Sequence, residues 1–294
     1  MSHSTCDLLG IGLSVFDNSL FVKTHPGEDE KIEAQRCLQS LGGPACIGTL
    51  TANRLGLQTT LLSAVADDFP GDFIKQSQAQ FSRHTFIPLK TDTTPQATIL
   101  IKENGERSVI ATLAKNIKAT QVNLLDTPKY ILLDGRYIDK CFDIIMHFRK
   151  SGSKIILDAG SRNPGILTML PYADIIIGSK KFALSYTKKT NIDEALDKLR
   201  GDFDNVLITL GDQGAIYSFE QSQGRIPCEK INAVNTNGAG DVFHGAFIAG
   251  LAKGLKFLEC SQVACHIASW HCTQISIEST LNQLGKSRSF KSFL

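Results

Sequence analysis

The 294 residues carry 31 basic and 29 acidic side chains, a formal net charge of +2, and 42% hydrophobic residues. That balance leaves no electrostatic footprint for nucleic acid, and the length suits one large α/β core, so a single domain over 1–294 is expected. No apolar stretch reaches the roughly 20 residues that span a bilayer. The N-terminus Met-Ser-His-Ser-Thr-Cys-Asp lacks a basic segment followed by an apolar one, so a cytoplasmic protein with a small-molecule partner and no membrane partner is expected. Eight cysteines, at 6, 37, 46, 141, 228, 260, 265 and 272, include no Cys-x-x-Cys pair, which argues against a zinc cluster or a redox dithiol. Cys46, Cys265 and Cys272 stand among apolar or small residues and read as buried free thiols.

Strands and helices alternate along most of the chain. Apolar runs at 8–13, 59–64, 130–133, 154–158, 175–177 and 206–210 read as strands, and helical spacing appears at 45–55, 73–80, 139–150, 181–186 and 192–199. This alternation predicts a mostly parallel sheet with helices on both faces, and ligands bound beyond the carboxyl ends of its strands. Two segments interrupt it. Residues 18–22 with 31–41, and 96–101 with 107–113 around Asn104-Gly105, read as antiparallel ribbons, the second closed by a type I′ turn. They form a small β-layer, about 17–41 and 94–113, that is either a lid over the site or a plain extension of the sheet.

Residues 234–245 read Val-Asn-Thr-Asn-Gly-Ala-Gly-Asp-Val-Phe-His-Gly. From Val242 the apolar residues recur at helical spacing, predicting a helix that begins near Ala239 or Gly240. Its first amides have no intrahelical acceptor and lie at the positive end of the helix dipole, so Gly238, Ala239 and Gly240 can cradle a phosphoryl group. Asp241 in that first turn either accepts a proton from a substrate hydroxyl or simply caps the helix. Both readings stand at this point.

Other signals fail. Gly10-Ile-Gly12-Leu-Ser-Val15 begins like a dinucleotide fingerprint but has valine where the third glycine belongs. Gly285-Lys286-Ser287 imitates the end of a P-loop, yet Thr280 stands where the earlier glycine should be. Seven histidines show no metal spacing, so no metal ligands are assigned; only His244 and His271 merit inspection.

Asn235-Thr-Asn-Gly-Ala-Gly-Asp241 resembles the C-terminal signature of the ribokinase-like (PfkB) carbohydrate kinases, usually Asp-Thr-x-Gly-Ala-Gly-Asp. Further stretches agree in order: Gly12 and Asp17, Gly42-Gly43 with Arg54-Leu55-Gly56, and Val65-Ala-Asp67-Asp68-Phe-Pro-Gly71. Gln96-Ala-Thr98 with Gly105-Glu106-Arg107, Leu157-Asp158 and Thr209-Leu-Gly211-Asp-Gln-Gly214 extend the likeness across residues 7–280. It implies a three-layer α/β sandwich with a mostly parallel central sheet and a small β-lid. It also implies transfer of the ATP γ-phosphate to a sugar-like hydroxyl, with Mg2+.

In that picture Asp241 is the base, the amides of Gly238, Ala239 and Gly240 form the anion hole, and Asp17, Gly42 and Gly43 contact substrate hydroxyls. Thr209, Gly211 and Gly214 form the nucleotide loop, and Ser179, His266 and Ser269 complete the ATP site, the last two by position only. Three departures qualify the likeness. Ile47 replaces a sugar-binding asparagine, Ser179-Lys-Lys-Phe182 replaces the Asn-x-x-Glu tied to magnesium, and Asn235 replaces an aspartate linked in some relatives to a monovalent cation. Potassium dependence therefore lacks support. Asp134-Gly135-Arg136, Asp158 and Ser179-Lys180 more closely resemble the ketohexokinase and sulfofructose-kinase branch, which implies a ketose or its acidic derivative; Arg136, Arg162 and Lys102 read first as surface or structural charges and only second as anion contacts. The competing expectations are a nucleoside kinase of the same family and a catalytically weak sugar- or nucleotide-binding protein. A homodimer through the lid is also expected.

Overall fold

The elements follow in chain order as β1 (Leu8–Ile11), β2 (Val15–Val22), β3 (Arg36–Gly42), α1 (Pro44–Arg54), β4 (Thr59–Val65), α2 (Phe69–Ala79), β5 (His84–Lys90), β6 (Gln96–Lys102), β7 (Arg107–Thr112), β8 (Tyr130–Leu133) and α3 (Ile138–Lys150). Then come β9 (Lys154–Ala159), α4 (Pro164–Met169), β10 (Ile175–Ser179), α5 (Lys180–Thr187), α6 (Ile192–Asp202), β11 (Val206–Thr209), β12 (Ala215–Phe219), β13 (Ser222–Ile226), α7 (Ala239–Ala252), α8 (Phe257–Cys272) and α9 (Ile277–Lys286). The computed structural model describes residues 6–103, 106–118, 126–220 and 222–286.

Among the described residues a nine-stranded sheet runs β13-β12-β11-β10-β9-β8-β1-β4-β5. Its strands are parallel from β5 to β11, and β12 and β13 add an antiparallel edge. The reason is visible in the side chains. Leu8, Leu61, Leu132, Ile156, Ile177 and Leu207 pack with residues of α1, α7, α8 and α9. Their neighbours Leu9, Leu62, Leu133, Ile155, Leu157 and Ile176 pack with residues of α3 and α4 on the other face. Strands buried on both faces must be apolar at successive positions, which is why they read as continuous runs rather than alternating ones. The result is a three-layer α/β sandwich.

β3-β2-β6-β7 form a second, four-stranded sheet. The two antiparallel ribbons join through a parallel β2–β6 pairing that sets Asp17 opposite Ala97. β3 begins at Arg36 rather than 31, with Gln35 just before it donating its amide to the Phe21 carbonyl at 2.8 Å. The Asn104-Gly105 turn lies outside the described residues. β5, β12, β13, α4 and α9 are not among the elements expected from the sequence; the strands lie at or next to the ends of the sheet and α4 is short, whereas α9 carries Ile277, Leu281 and Leu284 at helical spacing and had a signal.

One close crossing sets the position of the site. A Cβ on Gly245 would lie 2.3 Å from the Gly48 carbonyl oxygen, so α7 packs against α1 at a distance that only glycine permits. That contact brings the first turn of α7 against the segment that begins with Gly43.

Candidate active site

The chain leaves β1 toward β4 on one side and later enters β8 on the other, so the strand order reverses between β1 and β8. Open α/β sheets hold ligands at such a point. There a Cβ on Gly12 would sit 2.2 Å from the Asp134 carboxylate, so a side chain would displace it. Asp134 accepts hydrogen bonds from the backbone amides of Leu13 at 2.7 Å, Arg136 at 2.9 Å and Ala45 at 3.4 Å. Burial still pushes its carboxyl up to about 6, outweighing those donors.

Asp17, on β2, comes to the same place. Its Oδ2 is 2.2 Å from where a Cβ of Gly42 would stand, and Gly43 has φ +97 with its Cβ position 2.4 Å from the Leu13 carbonyl oxygen. The double glycine therefore makes room for a carboxylate and turns the backbone as a side chain could not. Asp17 is buried, and desolvation together with the nearby Glu278 raises its carboxyl to about 7, while Arg107 pulls it down. Glu278 reaches from α9 to accept the Leu41 amide at 3.0 Å.

Asp241 stands in the first turn of α7, opposite these groups. Its carboxyl lies well above the usual aspartate range, first through burial and then through the charges of Asp158, Asp134 and Asp17, with Arg107 opposing. Gly238 precedes the helix in a left-handed conformation, φ +82. Of the first amides of α7, that of Ala239 reaches the Thr236 carbonyl at 3.4 Å and that of Val242 donates to the Gly238 carbonyl at 2.9 Å. Those of Gly240 and Asp241 precede the intrahelical ladder. His244, one turn on, sets Nδ1 2.7 Å from the Gly240 carbonyl oxygen and Nε2 3.3 Å from that of Ile177 and 3.6 Å from Asp158 Oδ1.

The approach to α7 is strapped down. Val234 and Asn235 amides donate to the Cys272 carbonyl at 2.7 and 3.1 Å, and the Asn235 side chain accepts from the Asn237 amide at 2.9 Å and donates to the Ile275 carbonyl at 3.3 Å. From β7, Arg107 Nη1 donates to Asn237 Oδ1 at 3.0 Å, tying the small sheet to this segment.

A second cluster gathers the nucleotide-loop residues. Gly214 has φ +81 and a Cβ position 2.0 Å from the Ile226 carbonyl oxygen and 2.9 Å from the Cys228 amide. Cys228 Sγ is 3.2 Å from Ser269 Oγ, which donates to the Cys265 carbonyl, and the adjacent Glu229 meets His266 Nδ1 at 2.6 Å. Gly214, Ser269 and His266 thus share one corner, with Gly211 (φ +66) open to space at its entrance. Thr209 ends β11, its hydroxyl 3.4 Å from the Gly178 carbonyl. Ser179 caps α5, accepting from the Phe182 amide at 3.0 Å and donating to the Gly160 carbonyl at 2.8 Å. Phe182 is fully buried and stacks on Tyr186.

Arg107, Asn237, Glu278 and Cys228 were not singled out from the sequence as site residues. Arg107 had a signal, the Gly-Glu-Arg run beside the ribbon turn; the others act through contacts between elements distant in the chain, which spacing does not show. Cys46 and Cys265 are buried free thiols as expected, whereas Cys272 is partly exposed.

The α/β sandwich, the small second sheet and the acid at the head of an apolar helix are the arrangement that the Asn235–Asp241 signature implies. Residues 7–283 match the model of the pfkB family carbohydrate kinases, and the chain belongs to that family. It is a carbohydrate kinase. It is 27% identical over 262 residues to a ribokinase of Staphylococcus aureus, covering 83% of this chain and 85% of the relative. The fold is that of ribokinase from Thermotoga maritima, with a TM-score of 0.78, 21% identity and coverage of 96% and 100% of the two chains. It is also that of Arabidopsis thaliana ribokinase complexed with ribose and ATP, with a TM-score of 0.77, 21% identity and coverage of 96% and 99%. No helix among the described residues is long and apolar enough to cross a membrane.

Proposed function

We propose that the protein transfers the γ-phosphoryl group of ATP to a hydroxyl of a sugar or sugar-like acceptor, with Asp241 as the base. The observation that carries this reading is the convergence of the raised Asp241 carboxyl with the amides of Ala239, Gly240 and Asp241 at the start of α7, of which only that of Ala239 has a backbone partner, a long one at 3.4 Å, and with Asp17 across the crevice. The acceptor oxygen attacks the γ-phosphorus, the bond to the β-bridging oxygen breaks, ADP leaves, and the acceptor proton passes to Asp241. A base whose pKa lies above the ordinary aspartate value is better matched to neutral pH. The amides of Gly238, Ala239 and Gly240 stabilise the charge that spreads over the transferring group. Asp17 accepts acceptor hydroxyls, and Gly42 and Gly43 let the acceptor approach the backbone.

Thr209, Gly211 and Gly214 receive the nucleotide, with Ser179, His266 and Ser269 around it. Magnesium arriving with ATP needs only one or two carboxylates beside phosphate oxygens and water. The described residues hold no group of three metal-ligating side chains, so a protein-only cage does not fit. Asp158, at the end of β9 with Oδ1 engaged by the Gly160 amide, suits the single-carboxylate role. When bound, the ion neutralises phosphate charge. Ser179 and Phe182 are committed to capping and packing and cannot replace an amide and a carboxylate there. The buried, apolar Ile47 offers an acceptor no hydrogen bond.

ADP release should be followed with Mg-ATP across a panel of sugars and nucleosides, then repeated with Asp241→Asn. We expect the variant to fold and bind ATP but lose about a hundredfold or more in turnover. Normal turnover in that variant would remove the assignment. A panel member that binds without ATP consumption by the wild type would instead support a binding role.

A further inference from the structure

We propose that His271 is a positioning residue for the anion hole, whose Nε2–H holds the Asn237 carbonyl and thereby sets the direction of the Gly238 amide. The proposal rests on the phosphoryl-transfer reading above.

His271 lies on α8 and is fully buried, yet it is spent on a loop of a different element. Its Nε2 is 2.7 Å from the Asn237 carbonyl oxygen. A carbonyl can only accept, so Nε2 carries the proton. Its Nδ1 is 2.7 Å from Thr280 Oγ1 on α9, whose one proton has a second acceptor in the Ser276 carbonyl at 3.3 Å. Burial holds the ring below its usual range and so neutral, and on a neutral ring with its proton on Nε2 the Thr280 hydroxyl donates to Nδ1.

The peptide that joins Asn237 to Gly238 is planar, with its C=O and N–H pointing in opposite directions. Fixing the oxygen therefore fixes the N–H. The peptide needs an external hold because Gly238 is the most permissive residue type in a left-handed turn and supplies little preference of its own. The placement is close: a Cβ on Gly238 would lie 3.8 Å from His271 Nε2 and 3.9 Å from Asp241 Oδ2. Imidazole and carboxylate thus flank the same residue. Arg107 also grips the Asn237 side chain, so Asn237 is held through both its carbonyl and its side chain, and the Gly238 amide of the same peptide is held with it. The Cys272 carbonyl holds Val234 and Asn235 independently of His271, so the strap survives loss of the imidazole while its last peptide is released.

The test compares binding of Mg-ADP alone with Mg-ADP plus aluminium fluoride, a mimic of the planar group in transfer, by titration calorimetry. The wild type should bind ADP about tenfold or more tighter with the fluoride present, as transition-state mimics do. His271→Phe should lose most of that gain while its affinity for ADP alone stays within about twofold. His271→Gln, which presents an N–H at the equivalent place, should restore most of the gain. His271→Leu, which likewise presents no N–H to the Asn237 carbonyl, serves as the decisive variant if His271→Phe does not fold. Full retention of the gain in His271→Phe, or in His271→Leu where that variant decides, would overturn the proposal, as would equal loss of ADP alone. Absence of the gain in the wild type would overturn the phosphoryl-transfer reading and this proposal with it.

Discussion

Asp17 shows how the site is assembled at the cost of stability. Its carboxyl rises from 3.8 to about 7 because burial and Glu278 both oppose its charge. Below pH 4 the residue is protonated in both folded and unfolded chains and contributes nothing to pH dependence. Between pH 4 and 7 the unfolded chain ionises freely while the folded one keeps the proton, so stability falls as pH rises, and the loss is complete above 7. The full shift corresponds to at most about 4 kcal/mol. Asp17→Asn should therefore flatten the slope of unfolding free energy between pH 4 and 7 and raise stability at pH 8 by about 1–3 kcal/mol. Urea unfolding at several pH values measures this, and an unchanged slope would show that the buried charge is compensated elsewhere. At this scale the sequence was informative about which residues come together, because Asp17, Gly42, Gly43 and Asp241 stand in recognisable runs. It was silent on Glu278 and on the partners of Asn237, since neither run nor spacing tells that α9 reaches β3 or that β7 reaches the strap before α7.

The crossing of α1 and α7 is an element-scale requirement. A methyl on Gly245 would meet backbone oxygen at 2.3 Å and the Thr51 side chain at 2.6 Å, and neither can move without parting the helices. On Gly48 the nearest atom is the end of the flexible Leu132 side chain at 2.7 Å. Gly245→Ala should destabilise by about 2–4 kcal/mol and Gly48→Ala by about 1 kcal/mol. Denaturant midpoints of the two variants check the order, and the reverse order would mean that α7 can retreat from α1. Element boundaries tell a related story. The helix beginning at Ala239 and the parallel strands were legible because apolar periodicity is strong there. β12 and β13 were not, for a short antiparallel edge with Ser222, Gln223, Gly224 and Arg225 offers no such period.

At the scale of the molecule, the alternation of strands and helices foretold the parallel sheet, while the order of its strands required the structure. The turn of chain direction at β1, where the crevice forms, leaves no trace in local sequence. The small sheet ends in β7, every residue of which is exposed, including Val109 at 54% and Ile110 at 69%. An exposed apolar edge strand tends to find a partner, so we expect a homodimer joined through this sheet. Solution scattering at working concentration should give the mass of two chains, and Ile110→Lys should shift it to one; a monomeric wild type would refute this arrangement.

The bonds from α9 tie two distant parts of the crevice to one helix. Thr280 meets His271 Nδ1 behind the approach to α7, and Glu278 holds the Leu41 amide beside Gly42. Ile277, Leu281 and Leu284 of the same helix belong to the main core. A change in the packing of α9 is therefore felt on both flanks of the crevice at once, although no residue of this helix lies in the Gly-Ala-Gly-Asp turn.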